Sequence, residues 1–267
     1  MPRSRLSVVP LCAVAAALSF SGCSSTPVDP TKDWSPNKIH SEAMDERNAG
    51  NYEKAIGLYE KLEGRAAGTP LAQQAQLEKA YTQYKSGEQA QALATIERFL
   101  RLHPASPALD YALYLKGLVT FNENLGLLGS LVQQDLSERD QKAAKESFEA
   151  LREVATRFPE SRYAPDARAR MTHIVNSLAQ SEVHVARYYM SRGAYLAAIN
   201  RAQTAITDYP KAPALEEALA ILVSSYDALG MTQLRDDARR VLQSSFPNSA
   251  YLGRAQNTGG KPWWKLW

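Results

Sequence analysis

Four histidines (His40, His103, His173 and His184) and two cysteines (Cys12 and Cys23) are the side chains of this 267-residue chain best suited to metal or nucleophilic chemistry. A metal ion needs several such groups within its reach. Only His173 and His184 fall in one helical segment, and 11 residues along a helix separate them by about 16 Å. The adjacent Glu216 and Glu217 read as a solvated face. "GLLG" (Gly126 to Gly129) lacks the following Lys-Ser/Thr of a phosphate-binding loop. No nucleophile, base and orienting group converge, so neither a catalytic nor a metal site is expected, and the chain does not read as an enzyme.

Charge excludes a second class. The chain carries 31 basic residues; without Arg3 and Arg5 there are 29, against 28 acidic ones. Nucleic-acid binders concentrate Lys and Arg on one face, and so even a balance gives no such footprint.

Cys23 is the reactive residue with a distinctive setting. Arg3 and Arg5 precede an apolar run, "LSVVPLCAVAAALSF" (Leu6 to Phe20), and the small residues Ser21 and Gly22 lead directly into the cysteine. The run is shorter than the roughly 20 apolar residues a bilayer span needs. The pattern resembles the bacterial lipoprotein box, with Phe20 where leucine is usual. That resemblance implies a signal peptide over 1–22 and a mature chain beginning at Cys23. Its sulfur would carry diacylglycerol and its amine an acyl chain, with no cofactor beyond these lipids. One chain anchors only marginally and two or three durably. With that thiol capped, no internal disulfide is available. Ser24 and Ser25 stand where an inner-membrane retention aspartate would be, which implies the periplasmic leaflet of the outer membrane.

Residues 24–36, "SSTPVDPTKDWSP", contain three prolines and no apolar periodicity. Together with Cys23 they read as a lipidated flexible tether. Beyond them the pattern is helical throughout, and nearly all Gly and Pro fall between apolar-periodic segments. "GNYEKAIGLYEKL" (Gly50 to Leu62) resembles the second helix of a tetratricopeptide repeat. Its register recurs: Gly87, Ala92 and Pro104 lie 5 and then 12 residues apart, as do Gly193, Ala198 and Pro210. Gly230, Arg235 and Pro247 keep the spacing with an arginine for the small residue, and Lys142, Ser147 and Pro159 keep it without the glycine. "HPAS", "FPES", "YPKA" and "FPNS" mark the boundaries. Glycine ends a helix in a left-handed conformation, a small residue lets antiparallel helices approach, and proline stops the second helix. The expected fold is an all-α solenoid of five helix-turn-helix repeats.

Two repeats are overlong. The third has about 18 extra residues around "ENLGLLGSLVQQDLSERD" (Glu123 to Asp140), which read as a long loop. In the fourth no breaker intervenes from Pro165 to Arg192, so its first helix is expected to run about 42 Å. Its apolar face (Ile174, Leu178, Val185, Tyr189) would span the repeats on either side.

The segments "DYALYLKGL" (Asp110 to Leu118), "SERD" (Ser137 to Asp140), "LAQSEVHVARYYMSRGAYLAAINRA" (Leu178 to Ala202) and "DYPKAPALEEAL" (Asp208 to Leu219) resemble the repeat lipoproteins of the outer-membrane β-barrel assembly machinery. The similarity runs from Cys23 to about Ser249. It implies a scaffold whose N-terminal repeats (37–160) receive unfolded outer-membrane proteins. The C-terminal repeats (161–249) would dock on the barrel-forming subunit's periplasmic domains and on accessory lipoproteins. Within "AQQAQLEKAYTQYK" (Ala72 to Lys85), Gln73, Gln74, Gln76, Tyr81 and Tyr84 are the implied peptide-facing residues; repeat core is the other role open to the two tyrosines. "RAAGTP" (Arg65 to Pro70) departs from the family's aromatic, proline-rich turn. Arg201 matches an arginine that pairs with an acid of the barrel subunit, a surface arginine on a polar helix face being the other role open to it, and Asn200, Tyr195, Arg139 and Asp140 are further implied partner contacts. Other repeat lipoproteins recruit peptidoglycan hydrolases or serve pilus or secretin assembly, and they are the competing reading. The tail, residues 250–267, reads as flexible; it ends in "GGKPWWKLW" (Gly259 to Trp267), which suits a membrane interface or a partner's groove.

Overall fold

The structure is a computed structural model that describes residues 29–121 and 138–254. Cys23, most of the third-repeat insertion and the tryptophan-rich end lie outside those residues. Among the described residues ten helices of twelve or more residues follow one another: α1 Pro36–Asn48, α2 Tyr52–Arg65, α3 Pro70–Lys85, α4 Gln89–Leu102, α5 Leu109–Thr120, α6 Glu138–Arg157, α7 Ala164–Ser191, α8 Tyr195–Asp208, α9 Leu215–Ala228 and α10 Thr232–Ser245. A short α11, Ala250–Arg254, closes the described chain. There is no strand among the described residues. No helix there is long and apolar enough to cross a membrane.

Helix boundaries follow the repeated register. Gly50, Gly87, Gly193 and Gly230 all have φ between 69° and 88°, the left-handed region that a Cβ disfavours. In each case the glycine N–H and the next residue's N–H return to the preceding helix. Gly193 N donates to Met190 O at 3.0 Å and Ala194 N to Tyr189 O at 3.0 Å, so two terminal carbonyls are satisfied. Lys142 cannot take that role cheaply, and α6 runs straight through it. The third pair's second helix therefore has 20 residues where α2, α4, α8 and α10 have 14. Arg139 and Asp140 consequently sit in the first turn of α6 and not in a loop.

The small register residues Ala55, Ala92, Ser147 and Ala198 are fully buried. At the third pair, Ser147 Oγ donates to the Gly117 carbonyl at 2.7 Å. A Cβ on Gly117 would stand 2.7 Å from Leu151, so α5 and α6 touch where only glycine fits. Arg235 does not mimic the small residue; it turns outward to Asp227 and Asp236, each at 2.8 Å.

Two of the boundary phrases are ties. Ser106 Oγ donates to Gln73 Oε1 at 2.8 Å, and Ser161 Oγ to Asp110 Oδ2 at 2.6 Å. Each turn is thus bonded back to the start of the preceding pair's first helix.

Helix α7 is 28 residues long, about 42 Å, as the uninterrupted pattern required. It belongs to two cores. Ala167, Ile174 and Leu178 pack with Leu113, Leu151 and Val154 of α5 and α6. Ala179, Val183, Ala186 and Met190 pack with α8 and α9. The buried face turns by about 100° at Leu178–Ala179, since the two cores lie on different sides. Val185 and Tyr189, expected on one continuous face, are only half-buried.

Both ends correct the tether and tail readings. Residues 29–35 are fixed against α2, with Thr31 buried and Trp34 packed on the first core. Residues 250–254 form α11, where Tyr251 and Leu252 meet Leu219, Ala220 and Leu242.

Candidate functional site

Polar and aromatic groups link the first helices of successive pairs: one row joins α1, α3, α5 and the start of α7, and a separate ion pair joins α7 to α9. Between α1 and α3, His40 Nε2 lies 3.0 Å from Glu78 Oε2, and Gln74 Nε2 donates to Glu78 Oε1 at 2.8 Å. Arg47 stands 5.9 Å from the Tyr81 ring centroid, within cation–π range. Beneath them Tyr59 is fully buried; burial first, and then Glu78, push its phenol up.

The row continues as tyrosines. Tyr81 and Tyr84 of α3 and Tyr111 of α5 pack on the same core. The Tyr163 ring, at the start of α7, lies 5.3 Å from Tyr111 and is stacked at 4.8 Å on Tyr114. Burial, then Tyr163, Tyr81 and Glu78, push the Tyr111 phenol up to about 12. Tyr114 Oη donates to Asp166 Oδ2 at 2.6 Å, and Arg170 Nε reaches the same oxygen at 2.6 Å. Burial opposes the charge on Asp166, but these two bonds outweigh it and hold the carboxyl below its ordinary range. Arg162 covers Tyr163 at 4.7 Å. Half-buried rings flanked by arginines can accept apolar and aromatic side chains of an extended polypeptide while the guanidinium groups meet its carbonyls.

At the other end, Arg187 of α7 grips Glu217 of α9 with two bonds of 2.7 Å, the fork geometry of arginine and carboxylate. Glu217, whose side chain is 15% exposed, is therefore not a solvated face as the sequence suggested. Arg201 Nη1 of α8 donates to Glu182 Oε2 of α7 at 3.1 Å; the arginine is 44% exposed and the glutamate 6%.

The residues expected from sequence are divided. Gln74, Tyr81 and Tyr84 lie along the row. Gln73 is occupied by Ser106, and Gln76 is 2% exposed, which removes it from any peptide-facing surface. Tyr195 packs on the α7–α9 core, while Asn200 and Arg201 are exposed on α8. Sequence reasoning missed Tyr111, Tyr114, Tyr163 and Arg187. The signal was there: tyrosines three apart on a first helix, inside "DYALYLKGL". Among the described residues no group of three or more His, Cys, Asp or Glu could hold a metal ion.

A family model described as "YfiO: Outer membrane lipoprotein" matches residues 32–242. The chain is 49% identical over 262 residues to "Outer membrane protein assembly factor BamD" of Neisseria meningitidis serogroup A, across 96% of this chain and 98% of that protein. Its identity to the protein of the same description from Neisseria gonorrhoeae is 47%, with the same coverage. The counterpart in Xylella fastidiosa strain Temecula1 is 34% identical over 94% of this chain and 84% of its own length.

Proposed function

The chain belongs to the YfiO family of outer membrane lipoproteins, and from that membership we propose that it is a non-catalytic assembly factor for outer-membrane proteins. Lipid on Cys23 holds it to the periplasmic leaflet of the outer membrane. The pairs α1 to α6 receive unfolded outer-membrane proteins as extended segments. The pairs α7 to α10 dock on the periplasmic domains of the barrel-forming subunit, through the α8 surface that includes Asn200 and Arg201, and on accessory lipoproteins. Arg139 and Asp140 on α6 are further contacts in this reading.

The observation that carries the substrate half is the row Tyr81, Tyr111, Tyr163 and Tyr114 with its flanking Arg47, Arg162 and Arg170. An aromatic contact contributes about 0.5–1.5 kcal/mol. Replacing Tyr81 or Tyr114 by leucine should therefore weaken binding of a C-terminal β-strand peptide about 2- to 10-fold. A photocrosslinking amino acid at either position should capture that peptide, and one at exposed Glu60 should not. Equal capture at all three would remove the row from the reading. Detergent pull-down tests the docking half: recovery of the barrel-forming subunit is expected, and recovery of only wall hydrolases or a secretin would overturn it.

A further inference from the structure

The segment just after the lipid-bearing end is a built strap. Asp29 accepts bonds from Lys61 Nζ at 2.6 Å and Arg65 Nη2 at 3.3 Å, and from its neighbour Thr31 through N at 3.0 Å and Oγ1 at 2.8 Å. Arg65 donates further to Thr31 O, to Thr31 Oγ1 at 3.2 Å and to Trp34 O at 3.2 Å. Thr31 is 2% exposed, and Trp34 packs on the core of the first pair beneath Lys38, whose Nζ stands 4.6 Å from the ring centroid. One guanidinium from the unusual "RAAGTP" turn thus gathers two backbone carbonyls, a hydroxyl and a carboxylate. The Lys61 ammonium first, then the Thr31 amide and hydroxyl, hold the Asp29 carboxyl well below the usual carboxylate range.

The consequence lies in chain length. Six residue steps separate Cys23 from Asp29, and twelve separate it from Ser35. At 3.3–3.6 Å per extended residue the first span reaches about 21 Å and the second about 42 Å. We propose that the Arg65–Lys61 clamp makes the first helix pair the membrane-apposed end of the molecule, holding the α2 C-terminus within one short leash of a phospholipid leaflet. This rests on the reading that Cys23 carries lipid. The turn that departs from the family pattern is, on this account, the fastening for the anchor and no part of the substrate surface.

The clamp and the anchor can be tested apart, on full-length mature protein. Trypsin should cut slowly after Lys32, because the strap must leave α2 to enter a protease. Arg65→Met should accelerate that cut at least tenfold. Arg65→Lys keeps the charge but cannot fork between two carbonyls, and should fall between. A donor fluorophore on Gly64→Cys, in vesicles of phosphatidylethanolamine and phosphatidylglycerol bearing a headgroup acceptor, should transfer efficiently in the otherwise native chain. With Asp29→Ala and Arg65→Met added, transfer should drop by half or more, while the circular-dichroism spectrum stays the same. Equal tryptic rates, or equal transfer, would overturn the clamp and leave lipid attachment standing. Failure to incorporate labelled palmitate at Cys23, with Lys32 still protected, would remove the anchor reading and the apposition with it.

Discussion

Arg201 is exposed, but the carboxylate it holds is not. The Glu182 side chain is 6% exposed, and a buried polar group left without its partner costs about 1–3 kcal/mol. Arg201→Ala should lower the unfolding free energy by that amount in urea, and Glu182→Gln in the same chain should recover most of it. A loss that the glutamine does not recover would mean the pair is not the source. The sequence pointed to Arg201 through its surrounding phrase, but nothing local marks Glu182, 19 residues earlier on another helix. The tyrosine row has the same character, since only stacking of successive pairs brings Tyr163 onto Tyr114. Asp166 adds a pH test. Its depressed folded-state pKa means its contribution is present above the unfolded value and lost as pH falls through the folded one. Tyr114→Phe removes one bond to the carboxylate. The Asp166 carboxyl should then titrate at a higher pH by NMR, and the acid-side loss of stability should shrink.

At the scale of helices, the glycines and prolines made the pairs legible. Each does its work within a few residues, so a local reading suffices. Gly193, at φ 74°, should lose about 1 kcal/mol on substitution by alanine, from left-handed strain. Gly117 is different. Its conformation is ordinary and its neighbour is not, so Gly117→Ala forces Leu151 to move, and overpacking of this kind costs about 1–3 kcal/mol. Adding Leu151→Val to that chain should relieve part of the loss, measured as a change in Tm. Sequence placed the third pair's register through Ser147 but missed the unbroken start of α6, because a missing glycine is a weaker signal than a present one. Gln73 and Gln76 were misplaced for a related reason. Helical spacing assigns a face, and only the packed neighbours show that one glutamine ties a turn while the other is buried.

For the whole molecule, α7 decides how the parts are joined. Its N-terminal half completes the core of α5 and α6, and its C-terminal half completes that of α8 and α9. Unfolding should therefore be cooperative across residue 178. Proline at exposed Gln180 breaks only the backbone there, and it should split one urea transition, followed by circular dichroism, into two. A single unshifted transition would show that the two cores do not communicate through the helix. Split in the turn before α7, the chain would give two pieces, each showing water a bare stripe: Leu113, Leu151 and Val154 on one, Ala167, Ile174 and Leu178 on the other. Such pieces have a mutual affinity written into them. Co-expressed, they should find each other and rebuild the interrupted stack of helix pairs without a covalent bond, and expressed singly they should precipitate.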